Sequence, residues 1–295
     1  MASISRDRGL DHDQFAFRTL EDPIEFKLRA GARIAVCLTV VLQRFHLDRK
    51  PPFAVPGMID RPYPDIGNAT QREVGLRRGF WRICEMIEST GLPTTFVVER
   101  DALPLLDGED ILKNARHDVF AGGINATRLH MTGLAVDEER AMIRDTRDAL
   151  ANALSRPIDG WRSPSCSQSD ATLSLLAHEG FRYCGDFAND DRPYQLTMDG
   201  RTMTSVPMQH FSSDLHNLFV MRQPMELYFE SLLRGAKWLL GRKSQPAIVL
   251  PIVVHPWITG VPHRIGALGN LLQGLLELDG VTGMNAREVG DAFRP

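Results

Sequence analysis

Cysteine is scarce in this chain of 295 residues: the four present, Cys37, Cys84, Cys166 and Cys184, show no Cys-x-x-Cys spacing. That excludes a disulfide-framed scaffold and the paired-cysteine metal and redox motifs. Cys37 and Cys84 fall inside apolar segments and read as reduced core residues. No stretch approaches the roughly 18 consecutive apolar residues of a membrane span. The polar opening MASISRDRGLDHDQF has no apolar region of a secretion signal, so a cytoplasmic location is expected. Charge of one sign is not in excess either, with 34 Lys+Arg against 37 Asp+Glu and a formal charge of −3. Without a run of five like charges, nothing provides a nucleic-acid or membrane surface, and a small-molecule substrate is the natural partner. No Gly-x-Gly-x-x-Gly follows an apolar run, which removes the dinucleotide-binding signature.

What is present is an alternation of strand-like and helix-like segments, in a chain 43% hydrophobic and long enough to bury one barrel-sized core. RIAVCLTVVL (33–42) is a short apolar run rich in β-branched residues, read as a buried strand. Pro51, Pro52, Pro56, Pro62 and Pro64 make the following stretch a long loop, placed at a functional rim. Leu76, Phe80, Ile83 and Ile87 then recur at helical spacing over 71–90, and Gly91 with Pro93 stops the helix. TTFVV (94–98), DVFAG (118–122), PIDGW (157–161), FRYCGDF (181–187), TSVPM (204–208), AIVLPIVVH (247–255) and GVTGMN (280–285) read as further strands. Helices are expected near 109–115, from 137 to 154, from a cap at Ser169 to His178, and over 226–240 and 266–278. Seven or eight such units predict an α/β protein, a single distorted (β/α) barrel over 33–295 with residues 1–32 as an extension packed on it.

In a parallel barrel, chemistry sits just past the C-terminal strand ends. Those positions hold Gln43, Arg44 and His46; Gly122, Gly123 and Asn125; Trp161, Arg162, Ser163 and Pro164; Asp186, Asn189, Asp190 and Asp191; and His255, Pro256 and Trp257. His255 has an unperturbed pKa of roughly 6.5, suited to moving protons near neutral pH, and is the first catalytic candidate. Asp190 and Asp191 are candidate general bases. Arg162 presents a planar fork of donors for a carboxylate, and Trp161 and Trp257 offer apolar walls. His46 and His130 lie in loops that fold back over the barrel mouth or face solvent. Cys166 reads as an idle thiol.

GWRSPS (160–165), CGDFANDDRPY (184–194), SVP (205–207) and HPWITGVPHRI (255–265), in this order, resemble the polysaccharide deacetylase superfamily. The likeness extends to GFWRICEMIESTGLPTTFVV (79–98) and runs from about Ala32 to the C-terminus. It is closest to the branch of cofactor-independent allantoinases and cyclic imide hydrolases. The resemblance implies a distorted (β/α) barrel, hydrolysis of a non-peptide C–N bond, and usually a divalent metal such as zinc. It departs where that branch has an acidic residue after the first strand, here Gln43, and a His-Gly after the third, here Gly122 and Gly123. Gln is a weak ligand and Gly offers no side chain, so no metal or other cofactor is predicted. The expected site therefore has His255, Asp190 and Asp191 as catalytic groups, with Arg162, Trp161, Asp186, Trp257, Gln43 and His263 binding substrate. A barrel that has lost catalysis and serves as a binding or partner subunit is the competing expectation, and a homo-oligomer is expected in either case.

Overall fold

The computed structural model describes residues 14–17, 19, 25–50, 62–106, 110–208, 210–242 and 246–294. Pro51, Pro52 and Pro56 of the expected rim loop lie outside them, as does His12. The strands are β1 Glu25–Phe26, β2 Ile34–Leu42, β3 Thr94–Val98, β4 Asp118–Ala121, β5 Gly160–Trp161, β6 Tyr183–Cys184, β7 Tyr194–Met198, β8 Arg201–Ser205, β9 Ile248–Val254, β10 Val281–Gly283 and β11 Phe293–Arg294. The helices are α1 Ile66–Val74, α2 Phe80–Thr90, α3 Asp110–Lys113, α4 Val136–Leu154, α5 Thr172–His178, α6 Met225–Leu240, α7 Pro262–Leu276 and α8 Ala286–Asp291.

All nine residues of β2 are buried, and all but Thr39 are apolar, as a strand covered on both faces favours. It pairs in parallel with β9 (Ile34↔Ile248 to Val40↔Val254) and with β3 (Leu38↔Thr94 to Leu42↔Val98). From there β3, β4, β5, β6 and β8 follow in parallel. The result is a curled, mostly parallel sheet with helices outside it, the distorted barrel expected. β10 adds a short parallel pairing at the start of β2.

The distortion has physical causes. Pro251, in the middle of β9, has no N–H for a ladder, and β9 pairs with no named strand except β2, which fits the confinement of proline to sheet edges. Opposite it, β7 runs antiparallel to β8, a hairpin the sequence reading did not contain. Asp199 and Gly200 turn it with φ of 51° and 74°, the paired positive angles that make Asp-Gly a strong hairpin signal. The strand expected over 204–208 consequently starts earlier and ends at Ser205.

Two other expectations shift. The helix read over 71–90 begins at Ile66 and passes through a π-helical stretch, Gly75–Gly79, before α2. A Cβ on Gly75 would lie 2.7 Å from the Trp257 backbone nitrogen, and one on Gly79 2.1 Å from the Pro256 carbonyl oxygen. These two glycines let the helix lie directly on the segment that carries His255. Helix α5 starts after Ala171; the Ser169 hydroxyl accepts from the Ala171 N–H at 3.0 Å and shapes the approach instead of capping. At the N-terminus, β1 pairs with β11, the Gln14 carbonyl accepts from Thr197, and the Phe15 ring meets Phe187 and Tyr194.

Candidate active site

The parallel strands bring their C-terminal ends to one mouth, which holds a cavity of ≈ 290 Å³. Gln43 follows β2, Glu99 follows β3, Gly122 follows β4, the run Arg162 to Ser165 follows β5, and His255 follows β9; all line it. Residues from five strands, remote in sequence, converge because parallel strands exit on the same side.

His255 is held by Asp214. Its Nδ1 lies 2.6 Å from Asp214 Oδ1, its backbone N–H donates to Oδ2 at 2.8 Å, and the Thr259 hydroxyl donates to the same oxygen at 2.7 Å. Surrounded by donors, the fully buried Asp214 carboxylate acts as acceptor, so His255 carries its hydrogen on Nδ1 and presents Nε2 as a proton acceptor. Among the described residues Nε2 has no partner. Asp214 was missed by the sequence reading, which inspected only residues directly after apolar runs. It lies 41 positions before His255 in HFSSDLHN, and no spacing rule links the two.

Glu99 was missed as well. It is 1% exposed, and burial pushes its carboxyl well above the usual range even though the Arg44 and Ala126 backbone N–H groups favour the ionised form; the Arg44 N–H donates to Oε2 at 2.6 Å. Desolvation of a charge outweighs two neutral donors. Gln43 accepts from the Trp257 indole N–H at 3.2 Å. An indole N–H only donates, so the carboxamide oxygen faces Trp257 and the Gln43 NH₂ remains unpaired among the described residues. Arg162 is 4% exposed, its Nε is buried without a hydrogen-bond partner, and no described carboxylate lies within ion-pair distance of its guanidinium.

The other expected site residues support the cavity or lie elsewhere. Asp186 accepts from the Ser163 N–H and hydroxyl at 2.6 and 2.8 Å and from Gln168 at 2.9 Å, and burial pushes its carboxyl up. Trp161 is fully buried and donates to the Ser163 hydroxyl at 2.8 Å. Both therefore fix the Ser163 turn that sets Arg162 and Ser165 in the wall. Trp257 packs edge-on against Phe45 and Phe219 and orients Gln43. Asp190 and Asp191 are not brought to the cavity. The Asp191 carbonyl accepts from Val249, near the start of β9, whereas His255 follows its end, a separation of about 20 Å at about 3.3 Å per residue. His263 is exposed in the first turn of α7.

His46 pairs with Asp101 at 2.9 Å, and His130 with Glu139 at 2.8 Å in full burial beside Trp161; neither lines the cavity. Burial raises the Glu139 carboxyl, but hydrogen bonds from His130, Ser169 and Thr172 outweigh it and hold it below its usual value. Burial pushes the Cys166 thiol up, which disfavours the thiolate a nucleophile needs.

A catalytic zinc of the family type needs about three protein ligands with an open position. The cavity does not supply them: His255 offers the single nitrogen Nε2, Gln43 turns its oxygen to Trp257, and Gly122 has no side chain. Among the described residues no three His, Cys, Asp or Glu side chains converge on a common point. A side chain restored there would be crowded, since a Cβ on Gly122 meets Val97 Cγ1 and the Val98 carbonyl carbon at 3.0 Å. The residues present do not fit that metal.

No family model and no curated protein sequence matches the chain. Solved structures do. Puue allantoinase superposes with a TM-score of 0.81 at 19% identity, covering 93% of this chain and 96% of that one. A probable polysaccharide deacetylase from Pseudomonas aeruginosa PAO1 gives 0.79 at 18%, covering 93% and 97%. A CE4 family pseudoenzyme from Bacillus anthracis gives 0.50 at 15%, covering 88% and 66%. Among the described residues no helix is long and apolar enough to cross a membrane. The curled barrel, its strand order and its cavity at the strand ends thus give this chain the polysaccharide deacetylase fold, in the form shared with Puue allantoinase.

Proposed function

We propose that the protein hydrolyses a non-peptide C–N bond in a small amide, imide or ureide, with His255 as the proton-transferring group. The observation that carries this reading is the His255–Asp214 pair, which leaves Nε2 unpaired at a cavity sized for a small ligand. A water oxygen bonds to the substrate carbonyl carbon while Nε2 takes one of its protons. Asp214 steadies the ring as it becomes positively charged. The Gln43 NH₂ donates to the carbonyl oxygen as that oxygen gains negative charge. Nε2 then returns its proton to the leaving nitrogen as the C–N bond breaks, giving an acid and an amine, or a ring-opened product from a cyclic substrate. Burial pushes the Glu99 carboxyl up, toward the form that does not repel the developing oxyanion. No step passes through a metal, because the donor set does not fit one.

The test is hydrolysis of a panel of linear amides, cyclic imides and ureides by the full chain and its variants. His255→Ala is expected to lower kcat by about 10²–10⁴-fold, the usual worth of a general acid–base group. Asp190→Asn and Asp191→Asn, away from the cavity, are expected to stay within about threefold of the parent. Unchanged turnover in His255→Ala overturns the assignment. Ligand binding without turnover of any panel member favours instead a binding barrel, the reading that the lost metal donors support.

A further inference from the structure

We infer that the ligand of this cavity carries a carboxylate and that Arg162 binds it, making the substrate class small carboxylate-bearing amides, imides or ureides. The C–N part of that class rests on the hydrolase reading above; the carboxylate part rests on charge alone.

A guanidinium cannot be neutralised by losing its proton in a protein, so Arg162 brings a fixed positive charge into the cavity wall at 4% exposure. Burying an ion without a partner costs several kcal/mol, about as much as a buried pair returns, and such charges are normally found paired. This one is not. Its Nε is buried with no hydrogen-bond partner, and no described Asp or Glu forms an ion pair with it.

The two buried carboxyl groups at the mouth form no ion pair with it. The Arg162 charge favours the ionised form of Asp186, but Asp186 directs its oxygens to Ser163 and Gln168 and makes no ion pair with the guanidinium. Glu99, on the opposing β3 exit, is driven toward its neutral form by burial. Gln43 adds a further unpaired donor and Gly122 adds nothing. The polar lining thus holds one cation without an ion pair, an amide NH₂, Nε2 of His255, the raised Glu99 carboxyl and the Ser163 and Ser165 hydroxyls. A ligand carboxylate supplies the missing charge, and the planar fork of arginine takes its two oxygens through parallel N–H bonds. The ≈ 290 Å³ volume lies at the small end of ligand pockets, which limits the remainder of the molecule to one amide, imide or ureide group on a short chain.

The test compares matched pairs by calorimetry and thermal shift at low ionic strength. The pairs are acetate and acetamide, N-acetylglycine and N-acetylglycinamide, and N-carbamoylglycine and N-carbamoylglycinamide. The carboxylate member is expected to bind about tenfold or more tightly than its amide in at least one pair, the usual worth of a charge-assisted hydrogen bond. Arg162→Gln should erase that preference, and Arg162→Lys should keep part of it, since an ammonium holds the charge without the fork. Because Arg162→Gln removes a buried charge that has no ion pair, it should fold and melt no lower than the parent. Equal binding within every pair, retention of the preference in Arg162→Gln, or binding of inorganic phosphate or sulfate with no carboxylate bound would overturn the proposal.

Turnover is read separately on the same ligands. Carboxylate binding without hydrolysis removes the hydrolase reading and leaves this one standing. Hydrolysis of neutral amides with no carboxylate preference does the reverse.

Discussion

Glu99→Gln isolates the protonation of one buried carboxyl, because Gln keeps the shape and an acceptor oxygen for the Arg44 N–H while removing the titration. Glu99 is 1% exposed and burial raises its carboxyl well above its ordinary value of 4.5. Below that value both the folded and the unfolded chain hold the proton, and the contribution to stability is at its full size. As pH rises past it, the unfolded chain releases the proton and the folded chain keeps it. Stability attributable to Glu99 is then lost at about 1.4 kcal/mol per pH unit until the folded value is reached. The parent should therefore lose ground to Glu99→Gln at that slope, and the difference should level off above the folded value. Urea unfolding of both proteins from pH 4.5 to about pH 7.5 measures it, with Asp186 and Asp118, also raised by burial, cancelling between the two. A difference that stays flat to within about 0.3 kcal/mol across that range, or that moves in favour of the parent, refutes the upward shift of the Glu99 carboxyl.

Asp214→Asn should lower turnover by about 10²–10⁴-fold, and the double variant with His255→Ala should be no worse than the worse single, since the two residues act as a unit. Losses that multiply in steady-state kinetics would refute the pairing. The same variant should lose about 1–3 kcal/mol of stability, because an amide offers an N–H to donors that met an oxygen. Gly123→Ala should cost about 2–4 kcal/mol, because φ at Gly123 is +81° and a Cβ there would sit 2.6 Å from Pro164 Cγ, combining strain with overpacking. Chemical unfolding checks this, and a loss under about 0.5 kcal/mol would show that the β4 exit is not packed as described.

Much of the fold was legible because its causes are local. β2 and β9 are apolar runs of strand length, Gly91 followed by Pro93 ends a helix wherever it occurs, and the alternation of such units allows few architectures. Of the elements that escaped the sequence reading, one has a local cause and one does not. Asp199-Gly200 is a hairpin signal in the sequence itself, and the π-helical stretch depends on two glycines whose purpose appears only when Pro256 and Trp257 lie against them.

The site divides differently. That His255, Arg162 and Gln43 sit at strand ends is determined by the sequence alone, because an apolar run fixes where a strand stops and which residue comes next. Three things were decided only in three dimensions. Asp214 reaches His255 across 41 residues, the Glu99 carboxyl is pushed up by the barrel that closes over it, and Asp190 and Asp191 are carried to the far end of β9. Hydrogen-bond partners and desolvation are properties of the groups surrounding a side chain, and a linear pattern specifies a residue's neighbours along the chain, not those across the barrel.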